Sequence, residues 1–306
     1  MTKTLTLLIG IFLMSTTEVA LKLINSPQIN SFQLTFYRFI IGGLFLFTLA
    51  NKTDFKKILL KRHFMLLSGL SIIFIILSMS FYQIAIQQYL ASIVAIIFSL
   101  NPIFSSLFDY VLFHKTISRK LGISLAVAVL GMMIIIWSNH YFIFSGLIFA
   151  TLSSILFGLY STLSKEYIYK NHSDSITVTS QVFLLGSLYL WILHEIIIII
   201  SYHSQNFAVK FLGQSLLLKI TPHSLLAILY AGIIVTAGGF TVYSIATHKY
   251  PSVSHIIFFL KPAIAPIFAT ILLNEKITEN ALIGMIIIVI GTGISLIRDP
   301  HKTIRD

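Results

Sequence analysis

The chain has 306 residues, of which 57% are hydrophobic and only 10% charged, and its mean hydropathy is +0.92. Ordinary soluble domains carry roughly 25% charge, so a water-soluble fold is excluded and lipid must be the solvent for most of the surface. The net charge of +11 does not point to nucleic acid, because the basic residues fall between apolar runs rather than along one face, and the absence of cysteine excludes disulfides and thiolate metal sites.

A spanning helix needs about 20 mostly apolar residues. Ten such runs follow one another: 4–24, 31–50, 64–85, 89–112, 119–137, 142–163, 176–200, 224–246, 251–273 and 279–298. The first looks like a signal peptide at its start. It has no small-x-small cleavage site and stays apolar past Glu18, so it reads as an uncleaved helix. None of the runs alternates polar with apolar over ten-residue strands, which argues against a β-barrel. Two connections are long, the basic Asn51–His63 and the mixed Tyr202–His223.

A charge at the bilayer centre costs roughly 2.5–3.5 kcal/mol, and this chain keeps several. In the first span Glu18 and Lys22 are four residues apart and share a face with Ser15 and Asn25. That face is either a cavity wall or an internal ion pair. Arg38 lies near the middle of the second span beside Gly42, which admits a neighbouring helix. Its planar fork suits a carboxylate or phosphate, with Glu18 as an alternative internal partner. Tyr37, Tyr82, Tyr160 and Tyr243 fall near span centres, where each lines a cavity or simply packs. Asn101-Pro102 interrupts the fourth span and Lys261-Pro262 the ninth. Proline removes a backbone donor and frees a carbonyl one turn earlier, so both are expected helix breaks. His194 and Glu195 of the seventh span, His255 of the ninth, and Glu18 are the groups suited to carrying a proton, against the plainer reading of structural pairing.

Placing the N-terminus inside puts fifteen lysines and arginines on that side, among them Lys52, Lys56, Lys57, Lys61, Arg62, Lys165 and Lys170. Only Lys210, Lys219 and Lys276 fall in outer loops, with Lys22 near the outer end of the first span. The bias predicts that both termini are cytoplasmic.

Shifting the sequence by 160 residues lays Leu100 on Leu260, Pro102 on Pro262, Lys115 on Glu275 and Gly131 on Gly291. A shift of 143 lays Ser15 on Gly158, Lys22 on Lys165 and Gly43 on Gly186. The chain therefore reads as two five-helix copies, 1–138 and 139–306. Five is odd, so the second copy crosses the membrane upside down, an arrangement of secondary transporters with a midplane site between the repeats. The fold class expected is all-α and integral to the membrane, ten helices in two inverted repeats.

With these features the chain resembles the drug/metabolite transporter superfamily in its EamA-like branch, across nearly its whole length. The resemblance is carried by Lys22 with Pro27, Phe36-Tyr37-Arg38, Asn101-Pro102, Lys261-Pro262, and Asn274-Glu275-Lys276 followed by Gly284 and Gly291. The chain departs from the family at Met14-Ser15, where a Trp-Gly pair is usual, and at His114-Lys115, where a glutamate is usual. The resemblance implies a ten-helix carrier of small metabolites, often amino acids or related compounds.

The chain has no Walker-type phosphate loop, no second histidine completing a zinc-protease motif at His194-Glu195, and no Gly-x-Ser-x-Gly nucleophile. The expected function is thus secondary transport of a small metabolite across the cell membrane by alternating access, proton-coupled or by exchange, and not catalysis. A channel and an intramembrane enzyme are the alternatives. Arg38 and Lys261, with Glu18, Lys22 and Asn101, are the expected substrate contacts. No cofactor or metal is expected. The partners expected are the substrate and lipid, not nucleic acid, with the chain a monomer or homodimer.

Overall fold

The computed structural model describes residues 3–24, 31–115, 144–203, 222–249 and 256–296, together with short helical stretches at 122–123, 126–127, 129–131 and 133–134. No strand occurs among the described residues. Among the described residues nine long helices follow in order: α1 (Lys3–Ile24), α2 (Ser31–Leu49), α3 (Lys61–Gln88), α4 (Ala91–Phe113), α5 (Phe144–Asn171), α6 (Ser175–His203), α7 (222–249), α8 (Ile256–Leu273) and α9 (Glu279–Leu296). Seven of the described helices are long and apolar enough to cross a membrane, and the apolar stretches Leu260–Leu273 and Leu282–Gly291 are shorter. The expected fifth span is represented only by the short stretches in 122–134, and most of it lies outside the described residues, as does most of the 202–223 connection.

Polarity is inverted relative to a soluble protein. Leu8, Phe12, Leu44, Phe47, Ile199 and Ile271 are exposed, while Ser15, Thr35, Ser78, Gln83, Ser92, Ser153 and Ser180 are buried. In lipid, apolar side chains gain nothing by hiding from the solvent, so helices associate through close packing and internal hydrogen bonds. Ser78 donates to the Ser153 carbonyl at 2.9 Å, and Ser180 to that of Gly43 at 3.0 Å. Glycine sets the closest approaches. A Cβ at Gly42 on α2 would stand 2.9 Å from the Gly232 carbonyl on α7, and one at Gly131 would stand 2.7 Å from that of Gly284 on α9.

Helix regularity breaks where the core is polar or crowded. Residues Ile72–Met79 of α3 and Tyr230–Gly238 of α7 are wound as π-helix, which widens the turn and displaces the side chains that follow. Helix α4 is interrupted at Ser99-Leu100 and resumes with Pro102 in its first turn, where the missing N–H has no partner to lose. Helix α8 is helical throughout Ile256–Leu273 with Pro262 and Pro266 inside it. The chain leaves α4 through His114 (φ 52°) and α8 through Asn274 (φ 53°), both left-handed. In each case the next residue donates back six positions, Lys115 to the Asp109 carbonyl at 3.2 Å and Glu275 to the Ala269 carbonyl at 3.4 Å. These are left-handed C-caps, which satisfy the last carbonyls of a helix.

Packing joins α1 to α8, α5 to α4, α2 to both α6 and α7, α6 to α3, and α4 to α8. The centre of the bundle is an aromatic cluster in which Phe74 stacks on Tyr160 at 4.2 Å and Phe157 meets Phe98 at 5.1 Å.

Candidate functional site: a buried charge cluster

Four of the residues singled out in the sequence meet in the interior. Glu18 comes from α1, Arg38 from α2, Tyr82 from α3 and Lys261 from α8, and none is more than 2% exposed. Lys261 Nζ lies 2.5 Å from Glu18 Oε1. The Tyr82 hydroxyl donates to the same oxygen at 2.5 Å. Glu18 also lies within electrostatic reach of Arg38. One carboxylate therefore faces two cations.

The surroundings of the cations are aromatic. Lys261 Nζ sits 4.9 Å from the ring centre of Phe98 and 5.7 Å from that of Phe258. The Arg38 guanidinium lies 4.6 Å from the Phe39 ring and 5.8 Å from the Tyr82 ring. Ring faces attract cations and admit no competing water. Arg38 Nη2 donates to Met79 Sδ at 3.2 Å, a weak acceptor, and Nε meets no acceptor among the described residues. Glu18 Oε2 likewise has no hydrogen-bond partner among them. Buried polar atoms are almost always paired, so these two atoms hold unused capacity for a polar ligand.

The remaining expected residues divide. Lys22 donates to the carbonyls of Ile86, at 2.7 Å, and Tyr89, so its ammonium caps the end of α3. Asn101 is buried beside the α4 break and donates to the Phe98 carbonyl at 2.6 Å. Tyr160 and Tyr243 line a cavity of about 20 Å³ with Ser161, Ser164 and Lys165, room for about one water. The Tyr243 hydroxyl and Ser161 Oγ are 3.0 Å apart. Phe157 separates this cavity from the charges, 5.8 Å from Tyr243 and 5.1 Å from Phe98. Tyr37 is half-buried against Phe36. On α6, His194 is fully buried and Glu195 is exposed. His255 lies outside the described residues. No group of three histidine, aspartate or glutamate side chains with metal-binding geometry occurs among the described residues.

Sequence reasoning placed Glu275 in a family-like passage without giving it work. Its carboxylate accepts from the Ala91 N–H at 2.7 Å and from the Ser92 N–H and hydroxyl at 3.1 and 2.7 Å. It thus caps the N-terminus of α4, where an anion meets free N–H groups and the positive end of the helix dipole. Lys22 occupies the opposite pole, the C-terminal carbonyls of α3. The short junction between α3 and α4 is held from both sides by charges of the right sign. The detectable signal was the alignment of Glu275 with Lys115, since both follow a helix end.

Apolar helices enclosing ion-paired charges define a multi-pass membrane protein. The profile of the EamA-like transporter family matches residues 1–137 and again 144–297, and the chain belongs to that family. An uncharacterized transporter of Clostridium kluyveri is 28% identical over 293 residues, covering 91% of this chain and 88% of its own. A solved crystal structure superposes with a TM-score of 0.62 over 96% of both chains at 16% identity, a likeness of fold. The chain is a membrane transporter.

Proposed function

We propose that the chain is a secondary carrier that moves a small metabolite bearing a negative group, an amino acid or related compound, across the cytoplasmic membrane by alternating access. The observation that carries this reading is the buried Glu18–Lys261 pair, with Tyr82 and Arg38 around it, inside a fully enclosed centre. Arg38 and Lys261 hold the substrate's anionic group. Glu18 either receives its amine or takes the coupling proton when the substrate displaces it from Lys261. A buried cation that loses its carboxylate costs several kcal/mol, so an incoming anion gains most where it replaces Glu18 in kind.

Two inverted halves, 1–138 and 139–306, supply the motion. Exchanging each span with the one five later carries α1 on α8 onto α5 on α4, and α2 on α7 onto α6 on α3, while α2 on α6 and α4 on α8 map onto themselves. The π-helical segments of α3 and α7 correspond under the same exchange, as do the left-handed caps His114 and Asn274. This correspondence supports an inverted repeat. The Glu275–Ala91 contact closes one end of the bundle, and the Phe98–Phe157–Tyr243 layer closes the path toward the other. Rocking of the halves opens these closures in turn.

The test is transport in liposomes holding purified protein, with labelled amino acids and related anionic metabolites, with and without a pH gradient. Saturable uptake of one class that is lost in folded Lys261→Ala is expected. Flux that rises linearly with concentration would point to a channel instead. Saturable uptake that survives Lys261→Ala would keep the carrier and remove the site.

A further inference from the structure

A groove of about 670 Å³ opens between α3 and α5, away from the central cluster. Its α3 wall runs from Arg62 through Gly69 and Leu70 to Ile73, and its α5 wall from Leu163 to Lys170. The twelve residues from Arg62 to Ile73 are separated by eleven rises of 1.5 Å, about 16 Å. One leaflet's hydrocarbon is about 15 Å deep, half of a ~30 Å core. The groove is therefore one leaflet long, charged at one end and apolar at the other.

The charged end lies where α3 begins and α5 ends. Arg62 is exposed and has no acidic partner among the described residues. Lys170 shares its charge with Glu166 at 3.0 Å, which holds the ammonium 5.8 Å from the Phe113 ring at the groove's edge. His63 Nδ1 and the Tyr167 hydroxyl, 2.8 Å apart, tie the two helices together there. Farther in, a Cβ added at Gly69 would meet nothing within 4 Å. The slot at that level is open along the helix.

We propose that this groove is a binding site for an anionic phospholipid of the leaflet on the Arg62 side, its phosphate held by Arg62 and Lys170 and one acyl chain lying over Gly69 between Leu70 and Leu163. Charge complementarity selects the occupant. Two cations at the interface and one shared carboxylate leave a net positive mouth, which favours an anionic over a zwitterionic headgroup. The site stands apart from the substrate cluster and does not depend on what that cluster carries.

Native mass spectrometry of the delipidated full-length protein, titrated with phosphatidylglycerol or phosphatidylcholine of matched chains, reads the preference. Wild type is expected to hold one phosphatidylglycerol roughly tenfold more tightly than phosphatidylcholine. Arg62→Glu with Lys170→Glu should bring the two lipids level. Lys52→Glu with Lys56→Glu makes the same charge change on exposed lysines that do not line the groove, and should leave the preference intact. Gly69→Phe, which fills the slot without altering charge, should weaken both lipids. Equal binding of the two lipids by wild type would overturn the proposal. So would equal losses in the two charge-reversed proteins, or no effect of Gly69→Phe.

Discussion

Glu275 and Ala91 lie 184 positions apart in the chain, yet the carboxylate of one accepts the backbone N–H of the other at 2.7 Å. The contact fastens the turn after α8 to the start of α4, and so one half of the chain to the other. Lys22 grips the adjoining end of α3 and attracts Glu275 electrostatically. Glu275→Ala strands two backbone donors and a hydroxyl in a buried place. The expected loss is about 2–3 kcal/mol, from the cost of a lost helix cap plus unsatisfied groups. The variant should unfold earlier in a denaturant titration. Ala91→Cys, buried in the parent, should react with a small thiol reagent at least tenfold faster once Glu275 is removed, an expectation from the ~2–3 kcal/mol lost. Unchanged labelling would mean that the contact does not hold this end closed.

The Glu18–Lys261 pair makes a separate prediction, because stability and transport part company there. Breaking a buried pair by removing one partner costs about 3–5 kcal/mol, while replacing both by apolar groups is often neutral. Lys261→Met alone should therefore destabilise strongly. Adding Glu18→Leu should recover most of that loss, and transport should be absent from both proteins. A double variant no more stable than Lys261→Met would mean that the charges are not held mainly by each other.

Much of this was legible in the residues. Glu18, Arg38 and Lys261 stood out because ionised groups within apolar runs are costly, and that cost is a property of composition alone. The two-copy reading also came from the residues, and the left-handed residues His114 and Asn274 fall on the same 160-residue shift that aligned Lys115 with Glu275. What stayed hidden was pairing. Glu18 sits one helical turn from Lys22, so a local ion pair was as reasonable as a distant one. The structure gives Glu18 to Lys261 and Lys22 to two carbonyls. A choice between partners depends on how helices are rotated against each other, which no single run records. The π-helical segments were hidden as well, since Ile72–Met79 and Tyr230–Gly238 carry no proline to announce them.

Asp54 provides a pH-dependent expectation outside the spans. Burial pushes its carboxyl up, but Lys57 at 2.7 Å and the Asp174 N–H at 2.9 Å outweigh that and hold it below its ordinary value of 3.8. A carboxyl depressed in the folded state adds stability above its unfolded value, and that stability fades as pH falls through the folded value. Asp54→Asn should thus lower the melting temperature slightly at pH 7, by an amount equivalent to under about 1 kcal/mol because the pair is partly solvated. The difference from the parent should shrink as the pH drops below 4, near where an ordinary aspartate protonates. A gap that stays constant with pH would place the effect in packing rather than charge.

The orientation can be settled with a chain that already has no cysteine. Lys56 lies on the short segment between α2 and α3, and Lys276 on the turn between α8 and α9; both are exposed. The excess of lysine and arginine around Lys56 predicts that this end is cytoplasmic. In intact cells a membrane-impermeant thiol reagent should label Lys276→Cys at once and Lys56→Cys only after permeabilisation. The two sites differ by an odd number of crossings in the ten-span reading, so they must respond oppositely. Labelling of both from the same side would break the span count, whereas a simple swap would keep the count and invert the protein. In the inverted case the Glu275 closure would face the cytoplasm, and the proposed lipid groove would belong to the outer leaflet.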